Sequence, residues 1–135
     1  MFKSYYKITI VHSTKPRDTN LNEILQWFGS SLGLFSVRDK DRSNFRIFIE
    51  LLKAAKHNKD LSSDEIAENL QLSRGTVVHH LNKLIDAGIA VSRRNRYTLR
   101  VEKLTYLVDE IEKDVTRALT DLKEMAKDID ARLGL

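Results

Sequence analysis

The chain has 135 residues, 41% hydrophobic and 31% charged, with a formal net charge of +4, which suits one soluble domain carrying an appendage. One proline and five glycines leave few breaks, so helix should dominate, and the absence of cysteine excludes disulfides and thiolate metal sites. No apolar run reaches membrane-spanning length, and Met1-Phe2-Lys3-Ser4-Tyr5-Tyr6-Lys7 lacks the apolar core of a signal peptide, so a cytoplasmic protein without membrane contact is expected.

Residues 4–13 are β-prone and partly alternating, and predict a strand or ordered arm. Lys15-Pro16-Arg17-Asp18 is a turn or linker. Asn20 with Glu23 three residues on forms a capping box, opening a helix to about Leu32 with Ile24, Leu25, Phe28 and Leu32 at helical spacing; Gly33 ends it. After the polar break Asp39-Lys40-Asp41-Arg42, Asp41 or Ser43 caps a second helix with apolar positions Phe45, Phe48, Ile49, Leu51, Leu52 and Ala55. Ser62 and Glu65 make another capping box, opening a short helix through Leu70 that turns Ile66, Ala67 and Leu70 inward. Ser73 caps the next helix, and Ala87-Gly88-Ile89 closes it in the manner of a Schellman stop. Ile89, Val91, Tyr97 and Leu99 then alternate across a hairpin whose tip is Arg93-Arg94-Asn95-Arg96.

A last helix starts near Val101. Leu104, Val108, Ile111, Val115, Ala118, Leu122, Met125 and Ile129 follow one another at alternating spacings of four and three, a heptad seam roughly 38 Å long at ~1.5 Å per residue. Each apolar side chain left in water forgoes ~1.5–3 kcal/mol, so the seam predicts a partner helix. Homodimerisation through Leu104, Val108, Ile111, Val115, Leu122 and Ile129 is the expectation. The predicted fold is mainly α: a winged helix-turn-helix, with a three-helix core and a β-hairpin wing, an N-terminal strand and helix extension, and a long C-terminal dimerisation helix. The divisions fall at 1–38, 39–100 and 101–135.

The segment Leu61 to Arg100 carries the functional information. Its order, helix, tight turn, helix, cationic hairpin, offers one helix to the major groove of DNA and one hairpin to the neighbouring backbone. Charge follows the same division. Residues 73–103 hold Arg74, Lys83, Arg93, Arg94, Arg96, Arg100 and Lys103 against Asp86 and Glu102, whereas acids outnumber bases in 104–135. Polyanions attract such a head by counterion release.

With Val77, Leu81, Leu84 and Ile85 facing the core, helical geometry at ~100° per residue puts Gly75, Thr76, His79, Asn82, Lys83 and Asp86 on the opposite face. Thr76, His79 and Asn82 suit base edges, Lys83 a guanine or a phosphate, and Val78 a thymine methyl. Ser73, Arg74 and the helix start suit a phosphate, and Gly75 lets backbone approach. His80 is expected in the packed flank. Arg93, Arg94 and Arg96 are assigned to the DNA backbone or minor groove.

The run Ser73-Arg74-Gly75-Thr76-Val77-Val78-His79-His80-Leu81-Asn82-Lys83-Leu84-Ile85-Asp86-Ala87-Gly88-Ile89 resembles the recognition-helix pattern of ArsR-type winged-helix regulators, with a similar Ser-x-x-Thr-Val, His-Leu and Ala-Gly-apolar order. The resemblance covers residues 43–100, and the whole layout is similar to small archaeal winged-helix regulators. It implies operator binding as a dimer, usually in repression. Metal-sensing members use cysteines near the second helix or His and acidic ligands on the terminal helix. This chain has no cysteine and no histidine in 101–135, so neither metal nor cofactor is expected. His79 and His80 point about 100° apart and make no chelating pair.

A sequence-specific regulator of double-stranded DNA is therefore expected; the alternative is a winged-helix module that docks a protein without specific DNA readout. Catalysis is not expected. There is no glycine-rich phosphate loop, no two-histidine metal motif and no nucleophile with a spaced base, and His12 and His57 have no partners in sequence. The aromatic residues Tyr5, Tyr6, Trp27, Phe28 and Phe35 are assigned to core or dimer packing, and the effector, operator and regulated genes have no sequence signal.

Overall fold

The computed structural model describes residues 6–17, 20–36 and 38–135. Among these, five helices surround a small antiparallel sheet: α1 (Leu21–Ser31), α2 (Ser43–Lys56), β1 (Leu61–Ser62), α3 (Ser63–Leu70), α4 (Arg74–Asp86), β2 (Ala90–Arg93), β3 (Arg96–Leu99) and α5 (Leu104–Leu133). The sheet order is β1-β3-β2. α2 runs through the middle and packs on α3, α4 and β3. This is a winged helix-turn-helix with a long C-terminal helix.

The helix starts follow from their capping side chains. Asn20 accepts from the N–H groups of Asn22 and Glu23, Ser62 from that of Glu65, and Ser73 from that of Thr76. α2 differs from expectation. Neither Asp41 nor Ser43 caps it; the Asp39 carboxylate does, accepting from the Ser43 and Asn44 N–H groups at 2.9 Å each. Burial pushes the Asp39 carboxyl up, but these two bonds and the nearby His80 outweigh it and leave it below the ordinary carboxylate value. Arg42, at the cap position itself, takes a left-handed backbone with φ of 55°.

The stop of α4 is the predicted one. Gly88 (φ +76°) donates to the Ile85 carbonyl and Ile89 to that of Leu84, the two bonds of a Schellman motif. The hairpin turns through Arg94 and Asn95, both at positive φ, and pairs Ala90 with Leu99 and Arg93 with Arg96. This phase corrects the expected alternation: Ala90 is buried and Val91 faces solvent. β1 was not expected. It is two residues long, and its pairing of Leu61 with Tyr97 has no local signature.

The N-terminal segment takes the arm and not the strand form of its expectation. Among the described residues 6–17 there is no strand. The Lys7 N–H donates to the Asp86 carbonyl at the end of α4, the Val11 N–H to the Ser31 carbonyl at the end of α1, and Trp27 Nε1 to Ser13 Oγ. The segment runs past helix ends rather than along a strand edge, so β propensity has no ladder to enter. Ser4, Tyr5 and Asp18, which belonged to the expected arm, turn and aromatic set, lie outside the described residues.

One core joins these elements. Ile47, Phe48, Leu51, Ile66, Val77, Leu81, Leu84, Ile89 and Leu107 are fully buried in it. Phe28 stacks on Phe48, and Phe35 lies against Phe45. Gly29 belongs at the crossing of α1 and α2, because a Cβ there would sit 2.7 Å from the Phe45 ring.

α5 begins at Leu104, three residues after the predicted start, and its first turns pack on this core through Leu107 and Ile111. Ile111 is 5% exposed within one chain, which corrects its assignment to a dimer seam. A partly buried ion pair fixes the junction. Arg100 Nη1 donates to Asp114 Oδ2 at 2.6 Å, Arg117 bonds the other carboxylate oxygen at 2.7 Å, and Glu110 lies 3.6 Å from Arg100. The Arg100 guanidinium also covers the Tyr6 ring. The hydrogen bond to Asp114 raises the Arg100 pKa; burial pushes Asp114 up, but its bonds to Arg100 and Arg117 hold it below the ordinary range.

Replacing Asp114 by Asn should destabilise the fold by about 3 kcal/mol in urea unfolding, the lower end for a broken buried pair, since Glu110 still faces Arg100. Because the Asp114 carboxyl is depressed, its contribution is complete above the ordinary carboxylate pKa and is lost as pH falls through the folded-state value. The variant should accordingly lose less stability on acidification than the parent, read as the urea midpoint against pH.

Candidate nucleic-acid interface

α3, the turn at Gln71 and α4 form the helix-turn-helix. Gln71 takes a left-handed backbone, and Leu72 donates to the Ala67 carbonyl to close the first helix. Arg46, from α2, adds a bond to the Leu70 carbonyl. Val77, Leu81 and Leu84 bury the inner face of α4, and the outer face follows by geometry. His79, Asn82 and Lys83 are exposed on it; Thr76 and Val78 are half-buried. No atom lies within 4 Å of the position a Cβ would take at Gly75. The helix backbone is therefore open to solvent at Gly75.

The start of α4 is fixed by its own side chains. Ser73 Oγ caps Thr76 and bonds its hydroxyl at 2.8 Å, which fixes the first turn. Arg74 sits 3.6 Å from the Asp64 carboxylate, with both side chains about three-quarters exposed. Such a pair contributes on the order of 0–1 kcal/mol, so it holds Arg74 only weakly.

His80 is 8% exposed and turns into the protein, as its position beside Leu81 predicts. Burial pushes its pKa down, Asp39 works against that, and His79 and Lys83 add to it, so the neutral imidazole is favoured. The His79 ring meets it edge-on at 5.3 Å.

The wing divides its arginines. Arg93 and Arg94 are exposed at the tip. Arg96 is partly exposed and bonded within the chain: Nε donates to Asp60 Oδ1 at 2.5 Å, and Nη2 to Glu65 Oε1 at 3.0 Å and to the Asp60 carbonyl. Those bonds to Asp60 and Glu65 raise its pKa. It ties the wing to the start of α3, and a contact of Arg96 with DNA would have to compete with that tie. The carboxylates lie 36 and 31 residues away in sequence, so the hairpin alone does not reveal them.

Two residues that the sequence did not single out join the site. The loop before α2 brings Arg38 and Lys40 to a cleft shared with Thr76, His79 and Lys83. The only signal for them was charge in a polar break, and Asp39 and Asp41 masked it. Among the described residues no cluster of His, Asp and Glu is placed to hold a metal ion, and no helix is long and apolar enough to cross a membrane.

The family model described as "Bacterial regulatory protein, arsR family" matches residues 49–92, from within α2 to within β2. No curated protein and no solved structure matches the chain. Helix-turn-helix, wing and family match agree: residues 49–92 form an ArsR-like helix-turn-helix within a winged fold, the domain of a DNA-binding transcription regulator.

Proposed function

We propose that two copies of this chain, paired through their C-terminal helices, bind a pseudo-palindromic operator and repress transcription by occupying it. The observation that carries this reading is the outer face of α4: Arg74, Gly75, Thr76, His79, Asn82 and Lys83 stand together on a helix whose opposite face is locked in the core. Ser73 and Arg74 hold a phosphate at the helix start, Val78 touches a thymine methyl, and His79, Asn82 and Lys83 read base edges. Arg93 and Arg94 grip the flanking backbone.

The distal half of α5 supports the pairing. Every residue from 116 to 135 is exposed, including Leu119, Leu122, Met125, Ile129 and Leu133, which recur along one stripe. Leu122 and Ile129 are 64% and 54% exposed. A stripe of this kind on a 30-residue helix forms a coiled-coil seam with a second copy. Leu104, Val108 and Val115 flank the junction, and Ile111 serves the chain's own core. Two α4 helices so joined address half-sites about one helical turn, ~10 bp, or a multiple apart.

Three measurements test this reading. Selection of bound duplexes from a random pool should return a symmetric site, and His79→Ala should then relax preference at one or two positions, costing on the order of 1–3 kcal/mol on the best site. Equal loss on every sequence would remove His79 from base readout. Arg93→Gln with Arg94→Gln should weaken binding to all sequences alike and flatten the salt dependence, by about 0.9 in slope for each phosphate that is no longer neutralised. Retained affinity would favour the protein-docking alternative. Leu122→Asp with Ile129→Asp should halve the mass in solution and weaken operator binding while leaving the circular dichroism helical; an unchanged mass would refute the seam.

A further inference from the structure

Three buried side-chain polar atoms among the described residues have no hydrogen-bond partner: Ser31 Oγ, Asn44 Oδ1 and His80 Nδ1. Two of them, Asn44 Oδ1 and His80 Nδ1, belong to residues lining one cavity of about 380 Å³ between the N-terminal segment, the start of α2 and the inner flank of α4. Buried polar atoms are nearly always paired, and a shared pair of unmet ones beside an open volume marks a missing partner. His80 is more than nine-tenths buried, so a partner for it has to come from the cavity side.

We propose that this cavity binds a free 2-amino acid or a molecule with that head group. The chemistry of the walls selects it. On the floor, Asn44 Oδ1 accepts, and His80 Nδ1 accepts when Nε2 carries the proton. The ligand must therefore bring N–H donors inward. Asp39, also in the wall, has both carboxylate oxygens engaged by backbone N–H groups and keeps its negative charge near the floor, which favours an ammonium there. Lys7 and Lys83 bring two ammonium groups to the lining against the single carboxylate of Asp86 on that side, which leaves positive charge for a ligand carboxylate. Leu34 and Leu84 add apolar wall for a small side chain. Ligand pockets of ≈ 300–1,000 Å³ are ordinary, so the volume fits a small molecule.

The site bears directly on the reading helix. Lys83 and His80 line both this cavity and the adjoining cleft that holds Thr76 and His79. A bound carboxylate competes with DNA for Lys83, and an occupied floor fixes the inner flank of α4. The proposal concerns binding and stands whether or not DNA is the partner, so each reading fails on its own measurement.

The test uses the full chain without DNA. Isotope-labelled protein is titrated with each of the twenty protein amino acids in turn, and with acetate as a carboxylate lacking the donor. At least one amino acid should move the His80 imidazole nitrogen and Asn44 side-chain signals saturably and raise Tm, with acetate weaker by at least about tenfold, the loss of one charge-assisted hydrogen bond. No response at His80 to any amino acid, or acetate binding equally well, would overturn the proposal. His80→Leu replaces the unmet atom by hydrocarbon, so the unliganded Tm should hold or rise while the amino acid response disappears. A response that survives His80→Leu also overturns it. Should that variant fail to fold, Lys83→Gln, at an exposed position, must weaken the response by about tenfold, and an undiminished response counts against the site.

Discussion

Everything functional in this chain depends on one face of one helix being held in the core. Val77, Leu81 and Leu84 are buried with Phe48, Leu51 and Ile66 in a single cluster, and each such side chain contributes about 1.5–3 kcal/mol by leaving water. Rotating α4 by one residue would expose leucines and bury His79 or Asn82, so the packing sets which side chains meet a partner. The Schellman stop at Gly88 and the Ser73 cap fix where the helix begins and ends. The outer face needs no packing of its own, and its residues are left to chemistry.

Electrostatics refines that frame. The chain is basic around α4 and the wing, yet two of its arginines work internally. Arg96 ties the wing to Asp60 and Glu65; Arg100 ties β3 to Asp114 on α5. These charges hold the wing and the long helix in place relative to the core. The charge left for a polyanion is correspondingly concentrated on Arg74, Lys83, Arg93 and Arg94, with Arg38 and Lys40 contributed by the loop before α2. A count of positive charge overstates the interface, because it does not distinguish an arginine aimed at solvent from one already bonded.

α5 has two halves with different work. Leu107, Ile111 and Asp114 complete the domain, and the stripe from Leu119 to Leu133 lies in solvent. A continuous heptad pattern hides this division, since a core and a partner helix ask for the same apolar spacing. The stripe is what a coiled-coil partner requires, whereas the anchored half sets the direction in which that rod leaves the domain. The cavity beside His80 adds a third demand on the same small structure, since Lys83 faces both it and the outer cleft.

Local signals carried much of the architecture. Capping residues Asn20, Ser62 and Ser73, the Ala87-Gly88-Ile89 stop and the period of the apolar residues are written within a turn or two of the structure they cause, so helices, hairpin and the exposed face of α4 were legible. What required the folded chain is contact between distant segments. The Asp39 cap displaced the nearer Asp41 and Ser43; Lys7 and Val11 bonded helix ends instead of a strand; Arg96 met Asp60; Ile111 entered the core; and Asn44 and His80 came to share a cavity. Periodicity states that a side chain must be buried or paired, and the sequence by itself determined that much. Which partner satisfies it is decided by distances between residues far apart along the chain, and only the tertiary structure sets those.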